Sequence, residues 1–398
     1  MDRIILHCDL NGFYASVELL EHPELRDCPV AVCGDPQLRH GIILAKNEPA
    51  KAFGVKTAET IWQAKRKCPE LVLLPAHHEK YARYSKLVNG IYARFTDLVE
   101  PFGIDESWLD VTHCLHLFAC SPGELADRIR ATVHTELGLT ISVGVSFNKV
   151  FAKLGSDYRK PDATTVITRE NFQTLVWPLP VKDLLFVGAS AARLLRSYGV
   201  QTIGGLAAFG REELCALLGK QGATLHDYAT GADRSPVVPP SPGDMPKSVG
   251  NGLTFPKDLL GRDEVRAGLG MLSERVAARL RRHGLKCTAV QVTIRDPGFR
   301  DICRQKHLAA PTCVSQEISQ TALELVLSAW SMSAPIRALT VTALDLLPEA
   351  EAGEQMSLFG AGTARRDKLE RLERTMDRIR GKYGSSSVFF ASSQPPED

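Results

Sequence analysis

Two stretches decide how this chain is read: Ile4-Ile5-Leu6-His7-Cys8-Asp9 near the start, and Phe102-Gly103-Ile104-Asp105-Glu106-Ser107-Trp108-Leu109-Asp110 further on. Each sets carboxylates at the rim of an apolar run of strand length. Acids cannot gather at the edge of a buried sheet uncompensated, because desolvation and mutual repulsion would raise their pKa values or unfold the site. The pattern is therefore a layout for divalent cations, hard ions that prefer carboxylate oxygen.

Working outward, residues 1 to 165 alternate short apolar strands with amphipathic helices. Strands are predicted over 4–8, 30–33, 42–45, 71–74, 99–104, 108–111, 141–145 and 164–167, which makes the class α+β or mixed α/β. The run 99–111 reads as a hairpin with Asp105-Glu106 at its tip, so sheet neighbours would bring these acids beside Asp9. From 166 to 232 the elements become short helices. Segments around Gly188 and Gly219 read as helix-hairpin-helix turns whose backbone N–H groups suit a phosphate, although ordinary glycine C-caps leave the same trace. Prolines 236, 239, 240, 242 and 246 then forbid helix or central strand and predict an extended linker. Beyond it, 247–347 reads as a small α+β unit in the order strand, helix, strand, strand, helix, strand.

Composition bounds the rest. With 398 residues, 44% hydrophobic and 24% charged, the chain is a multidomain globular protein with no apolar run long enough to span a membrane. The first residues enter a strand at once, so no secretory leader is expected, and ten scattered cysteines without metal spacing suggest a reduced, cytoplasmic protein. Net charge is only +2, but Arg279, Arg281, Arg282, Lys286, Arg295, Arg300, Arg304 and Lys306 face only Asp296 and Asp301. That is either a local positive surface or a solvated helix face. In the tail, Leu369, Leu372, Met376, Ile379 and Tyr383 form one apolar stripe that should pack on this protein or on a partner.

Taken in order, Asp9-Leu10-Asn11-Gly12-Phe13-Tyr14-Ala15-Ser16-Val17-Glu18, Gly103 to Asp110, Ser142 to Lys149, Lys160-Pro161 and the paired hairpins resemble the Y-family translesion DNA polymerases of the bacterial polymerase IV type. The resemblance implies an α+β multidomain right hand. Its ferredoxin-like palm would be 1–10 and 76–165, its small fingers 11–75, and its helical thumb with helix-hairpin-helix motifs 166–232. A linker over 233–245, an α+β little finger over 246–346 and a tail over 347–398 would follow.

It also implies an error-prone DNA polymerase without proofreading exonuclease, adding deoxynucleotides to a primer 3′-hydroxyl with two Mg²⁺ ions, for which Mn²⁺ can substitute. Asp9, Asp105 and Glu106 would be the catalytic acids and, with the Leu10 carbonyl, the metal ligands. Tyr14 would be the steric gate against a ribose 2′-hydroxyl, and Phe13, Lys51 and Lys160 would line the nucleotide site. Gly188, Gly219, Arg295, Arg304 and Lys306 would contact primer-template DNA, the last three on strands whose alternation could aim them at one face. Gln355-Met356-Ser357-Leu358-Phe359 resembles a sliding-clamp-binding segment, with Gln355, Leu358 and Phe359 as contacts, on an otherwise monomeric enzyme. Two departures stand out: Asn11 replaces a second aspartate, and Glu48 replaces a tyrosine near the triphosphate, which requires it to turn away or pair with Lys46 or Lys51. Asp110 is expected to be a structural acid. The rival readings are a palm-domain nucleotidyl cyclase and a non-catalytic DNA-repair adaptor of the same fold.

Overall fold

The computed structural model describes residues 2–34, 41–241, 243–352, 361–384 and 387–390, with the side chains of the last helix from Arg366 onward. The chain divides into two compact units, Met1–Pro242 and Gly243–Asp398.

The first unit begins β1 (Ile5–Leu10), α1 (Phe13–Leu19), β2 (Val30–Cys33), β3 (Ile43–Lys46), α2 (Glu48–Ala52), α3 (Ile61–Lys67), β4 (Val72–Pro75) and α4 (His78–Tyr92). It continues β5 (Val99–Pro101), β6 (Glu106–Asp110), α5 (Pro122–Leu137), β7 (Ile141–Ser146), α6 (Lys149–Tyr158) and β8 (Thr164–Ile167). The main sheet has the order β5-β6-β1-β7-β8, and a second sheet is ordered β3-β2-β4. Strand β1 is central because both of its faces are covered. Leu6 and Cys8 enter a core shared with α1, α4 and α5. Ile5 packs with Trp108 and Ala152 on the other side, the side of α6. By the period of two, His7 and Asp9 share the face of Ile5.

Glycine decides how closely α6 lies on that face. Gly144 stands opposite His7 in the register, and a Cβ there would fall 1.9 Å from the Ala152 carbonyl oxygen and 2.4 Å from the Ser156 nitrogen. Only a bare Cα admits the helix at this distance. Gly12, at φ 53°, makes the turn from β1 into α1, where a Cβ would sit 2.9 Å from the Lys46 carbonyl.

Five short helices follow: α7 (Phe172–Leu175), α8 (Ala189–Ser197), α9 (Ile203–Ala208), α10 (Arg211–Leu218) and α11 (Lys220–Ala229). Their apolar faces close on Phe147, Val150, Phe151 and Leu154. The predicted linker is not free along its first part. Val237 is buried with Ile5 and Trp108, Val238 N donates to Glu100 Oε2 at 2.7 Å, and Arg3 donates to the Ser235 carbonyl at 2.8 Å. A valine with an apolar slot beside it gains more by burial than by remaining in water.

The second unit runs β9 (Ser248–Leu259), α12 (Gly261–Arg282), β10 (Leu285–Arg295), β11 (Asp301–Thr312), α13 (Ser315–Ala329), β12 (Ile336–Pro348) and α14 (Ala361–Tyr383). Its antiparallel sheet is ordered β11-β10-β12-β9, and the apolar sides of α12 and α13 close its core.

Candidate active site

The strand register brings the acids together. Asp9 at the end of β1 pairs with Glu106 at the start of β6, and Leu10 N donates to the Asp105 carbonyl at 3.0 Å. Asp105 thus lies in the turn before β6, while Glu106 is already on the strand. Helix α6 adds the cations. Lys153 Nζ is 2.5 Å from Glu106 Oε2 and 3.6 Å from Asp9 Oδ2. Lys160 Nζ is 2.9 Å from Asp9 Oδ1, and both lysines also meet Asp157. The position after Asn148, which caps α6 by accepting from Phe151 N at 2.8 Å, fixes which face of the helix looks down on the sheet.

The charges respond to one another. Burial pushes the Asp105 carboxyl up, and the neighbouring Asp9 and Glu106 push it further. Burial would also raise Glu106, but its contacts with His7 and Lys153 outweigh burial and hold that carboxyl down at about 2. His7 Nε2 lies 3.3 Å from Glu106 Oε2 without an aligned hydrogen bond, so Lys153 is the stronger of the two partners. Burial lowers the pKa of His7. Its Nδ1 is 2.8 Å from Ser156 Oγ.

Among the described residues, no three His, Cys, Asp or Glu side chains converge as a ready-made metal cage. The donor chemistry nevertheless fits divalent ions: three carboxylates on adjoining strand ends, one of them raised by the charge of the other two. Asp9 and Glu106 are held by lysines, whose flexible ammonium groups can exchange places with a cation.

The remaining predicted residues fall out as follows. Phe13 is only 3% exposed and belongs to the core, so the structure corrects its assignment to the nucleotide site. Residues 13 and 14 cannot both face inward at the start of α1, and Phe13, without a hydroxyl, takes the dry side. Tyr14 is the open ring, stacked on Tyr81 with centroids 4.0 Å apart. Tyr81 is in turn fixed by its hydroxyl, which donates to the buried Glu18 at 2.5 Å. Lys51 pairs with Glu48 at 3.2 Å, one of the two arrangements that make an acid at 48 tolerable. Asn11 is structural: its Nδ2 donates to Ser142 Oγ at 2.9 Å and its Oδ1 accepts from Asp162 N at 2.9 Å, beside Lys160. Asp110 accepts from Thr112 N and stays away from the other acids.

In the second unit the expectation of one basic face fails. Arg295 pairs across the sheet with Asp301, whereas Arg304 and Lys306 stand opposite Val292 and Val290, residues of the buried side. An odd difference in strand position separates Arg295 from those two. Arg295 is engaged by Asp301 and Lys306 by Glu324. Gly188 is the N-cap of α8 and Gly219 the N-cap of α11. Gln355, Leu358 and Phe359 lie outside the described residues. Lys153, His7 and Asp157 were missed by sequence reasoning. The spacing of Lys149, Lys153, Asp157 and Lys160, one charged residue per helical turn, could have pointed to all but His7.

Comparison with known proteins places these features in a family. Residues 8–157 match the impB/mucB/samB family, and residues 246–358 match the impB/mucB/samB family C-terminal domain. The DNA polymerase IV of Acetivibrio thermocellus is 50% identical over 388 residues, covering 98% of this chain and 96% of that protein. DNA polymerase IV 1 of Bacillus subtilis is 36% identical, covering 97% and 92%. A Y-family DNA polymerase chimera of Dbh and Dpo4 shares the fold, with a TM-score of 0.77 at 22% identity, over 87% of this chain and 99% of that one.

Proposed function

The chain belongs to the impB/mucB/samB family of Y-family polymerases, and from that premise we propose its reaction: template-directed, error-prone addition of deoxynucleotides to a primer 3′-hydroxyl. The observation that carries the reading is the meeting of Asp9 and Glu106 across one register pair, with Asp105 in the adjoining turn and Lys153 and Lys160 above. In this reading residues 1–10 and 76–165 are the palm, 11–75 the fingers, 166–232 the thumb and 246–346 the little finger.

Asp9, Asp105, Glu106 and the Leu10 carbonyl would hold two Mg²⁺ ions, which when bound activate the attacking hydroxyl and neutralise the leaving pyrophosphate. The protein does the rest by position. Lys153 keeps Glu106 ionised, as its depressed pKa requires. Lys160, held at the end of α6, is placed to leave Asp9 for a triphosphate oxygen. Tyr14 stands as the floor of the sugar site, its plane fixed by Tyr81. Lys51 offers a second phosphate contact once freed from Glu48. Gly188, Gly219 and Arg304 would meet backbone phosphates, Gln355, Leu358 and Phe359 a sliding clamp, and the enzyme would act as a cytoplasmic monomer.

Primer extension with Mg²⁺ tests the site. The intact chain should extend a primed template, and Asp105→Ala and Glu106→Ala should each lose at least a hundredfold in rate, on the order expected when charge stabilisation is removed. Undiminished extension by either variant sinks the metal assignment. Nucleoside triphosphate incubated alone should give no cyclic product.

A further inference from the structure

Helix α14 lies beyond the matched C-terminal domain, and its charges are sorted by face. The inward face is acidic. Glu373, 2% exposed, meets the buried Arg281 guanidinium and accepts from Ser315 Oγ at 2.6 Å. Asp377 takes the other side of Arg281 at 2.6 Å, and Glu370 takes Lys286 at 3.1 Å. Buried Met376 completes the seat.

The outward face is the reverse. It presents Lys368, Arg371, Arg378 and Lys382, interleaved with Leu372, Ile379 and Tyr383, which are 48%, 36% and 66% exposed. Arg371 and Arg378 bond within their own helix, Lys382 stands over the neighbouring Tyr383 ring, and among the described residues no carboxylate pairs with any of the four cations. Like charges at i,i+3 and i,i+4, as in Lys368 with Arg371 and Arg378 with Lys382, weaken a helix, so holding the helix in place gives no reason for them.

We infer that this face is a docking surface for an acidic protein, the same clamp that the Gln355–Phe359 segment is proposed to engage; it rests on that clamp reading. Aliphatic Leu372 and Ile379 gain nothing from a phosphate backbone, but beside cations they suit an acidic protein surface with an apolar floor. The eight residues 353–360 carry the pentapeptide and lead directly into Ala361. A partner holding that peptide therefore meets a track of roughly 21 Å from Lys368 to Lys382, at about 1.5 Å per helical residue.

The test uses the full chain and the purified clamp of the same organism, with affinity followed against salt. R371E/R378E should weaken clamp binding at least tenfold and flatten its salt dependence, with clamp-free primer extension and melting temperature unchanged. L372A/I379A should weaken binding without changing the salt slope. The control is L358A/F359A. If that control abolishes binding while the α14 variants bind like the wild type, the inference fails and the clamp reading stands. If the wild type does not bind, or the control binds normally, the clamp reading itself fails and takes the inference with it. If R371E/R378E instead loses duplex DNA affinity and keeps the clamp, the face serves nucleic acid and the inference is overturned.

Discussion

At the scale of the residue, the site is a balance among carboxylates, two lysines and one tyrosine. Glu106 titrates near 2 in the folded chain against an ordinary value of 4.5, so the contacts that depress it contribute stability that is fully present above about pH 4.5 and lost as pH falls towards 2. Lys153→Met should therefore cost about 2 kcal/mol near neutral pH, the range for a hydrogen bond to a charged group. In urea unfolding followed from pH 7 down to pH 3, the gap between variant and wild type should narrow below pH 4.5; a gap that stays constant would show that Lys153 acts by packing alone. Tyr14→Ala opens the floor of the sugar site, and ribonucleotide incorporation relative to deoxynucleotide should rise by about two orders of magnitude, a pocket exclusion read from single-nucleotide kinetics. The acids and Tyr14 were legible from sequence because each ends or follows an apolar strand. Lys153 was not, because its meaning depends on how closely a helix lies on a sheet, and that distance is set by a glycine in another strand.

At the scale of the element, Gly144 is that glycine. Gly144→Ala would drive a Cβ into the backbone of α6 at Ala152 and Ser156, and neither a carbonyl oxygen nor a helical nitrogen can step aside as a side chain could. Overpacking of this kind should cost about 3 kcal/mol and, by lifting α6, move Lys153 and Lys160 off the acids. Chemical denaturation and primer extension together check this: both should fall, and an alanine variant with wild-type stability would contradict the close approach. In the second unit the comparable fixture is Arg281 with Glu373. Glu373→Ala leaves a guanidinium buried with only Asp377 beside it and should cost about 3–5 kcal/mol, seen as a lowered melting temperature. The apolar stripe of α14 was legible as a helix but not in its orientation. Met376 turns inward while Leu372 and Ile379 remain open, because the acids between them, rather than the hydrophobes, choose which face is buried.

At the scale of the whole molecule, strand and helix order in both units followed the sequence pattern closely, since long apolar periods survive any tertiary context. The charge map did not. Of the eight bases between residues 279 and 306, Arg281, Lys286, Arg295 and Lys306 are engaged by carboxylates, and Arg279 donates to the Gly250 carbonyl. A sequence shows how many cations lie in a segment; it does not show which are already neutralised by partners far along the chain, as Glu370 and Glu373 are. The distinction is measurable. Each phosphate neutralised by a protein cation contributes about 0.9 to the slope of log affinity against log salt on duplex DNA. Arg304, exposed and bonded only to a neighbouring carbonyl, should carry such a share, so Arg304→Ala should reduce the slope by about 1 while leaving stability within about 0.5 kcal/mol. Lys286→Ala, which removes a cation already held by Glu370, should leave the slope unchanged and lower the melting temperature instead. Fluorescence anisotropy with labelled primer-template across a sodium chloride series reads both variants. Equal slope changes would mean that Lys286 leaves Glu370 when DNA binds and that the ion pairs of this unit are exchangeable; unequal ones would mean that the DNA-binding charge is the small remainder left after folding.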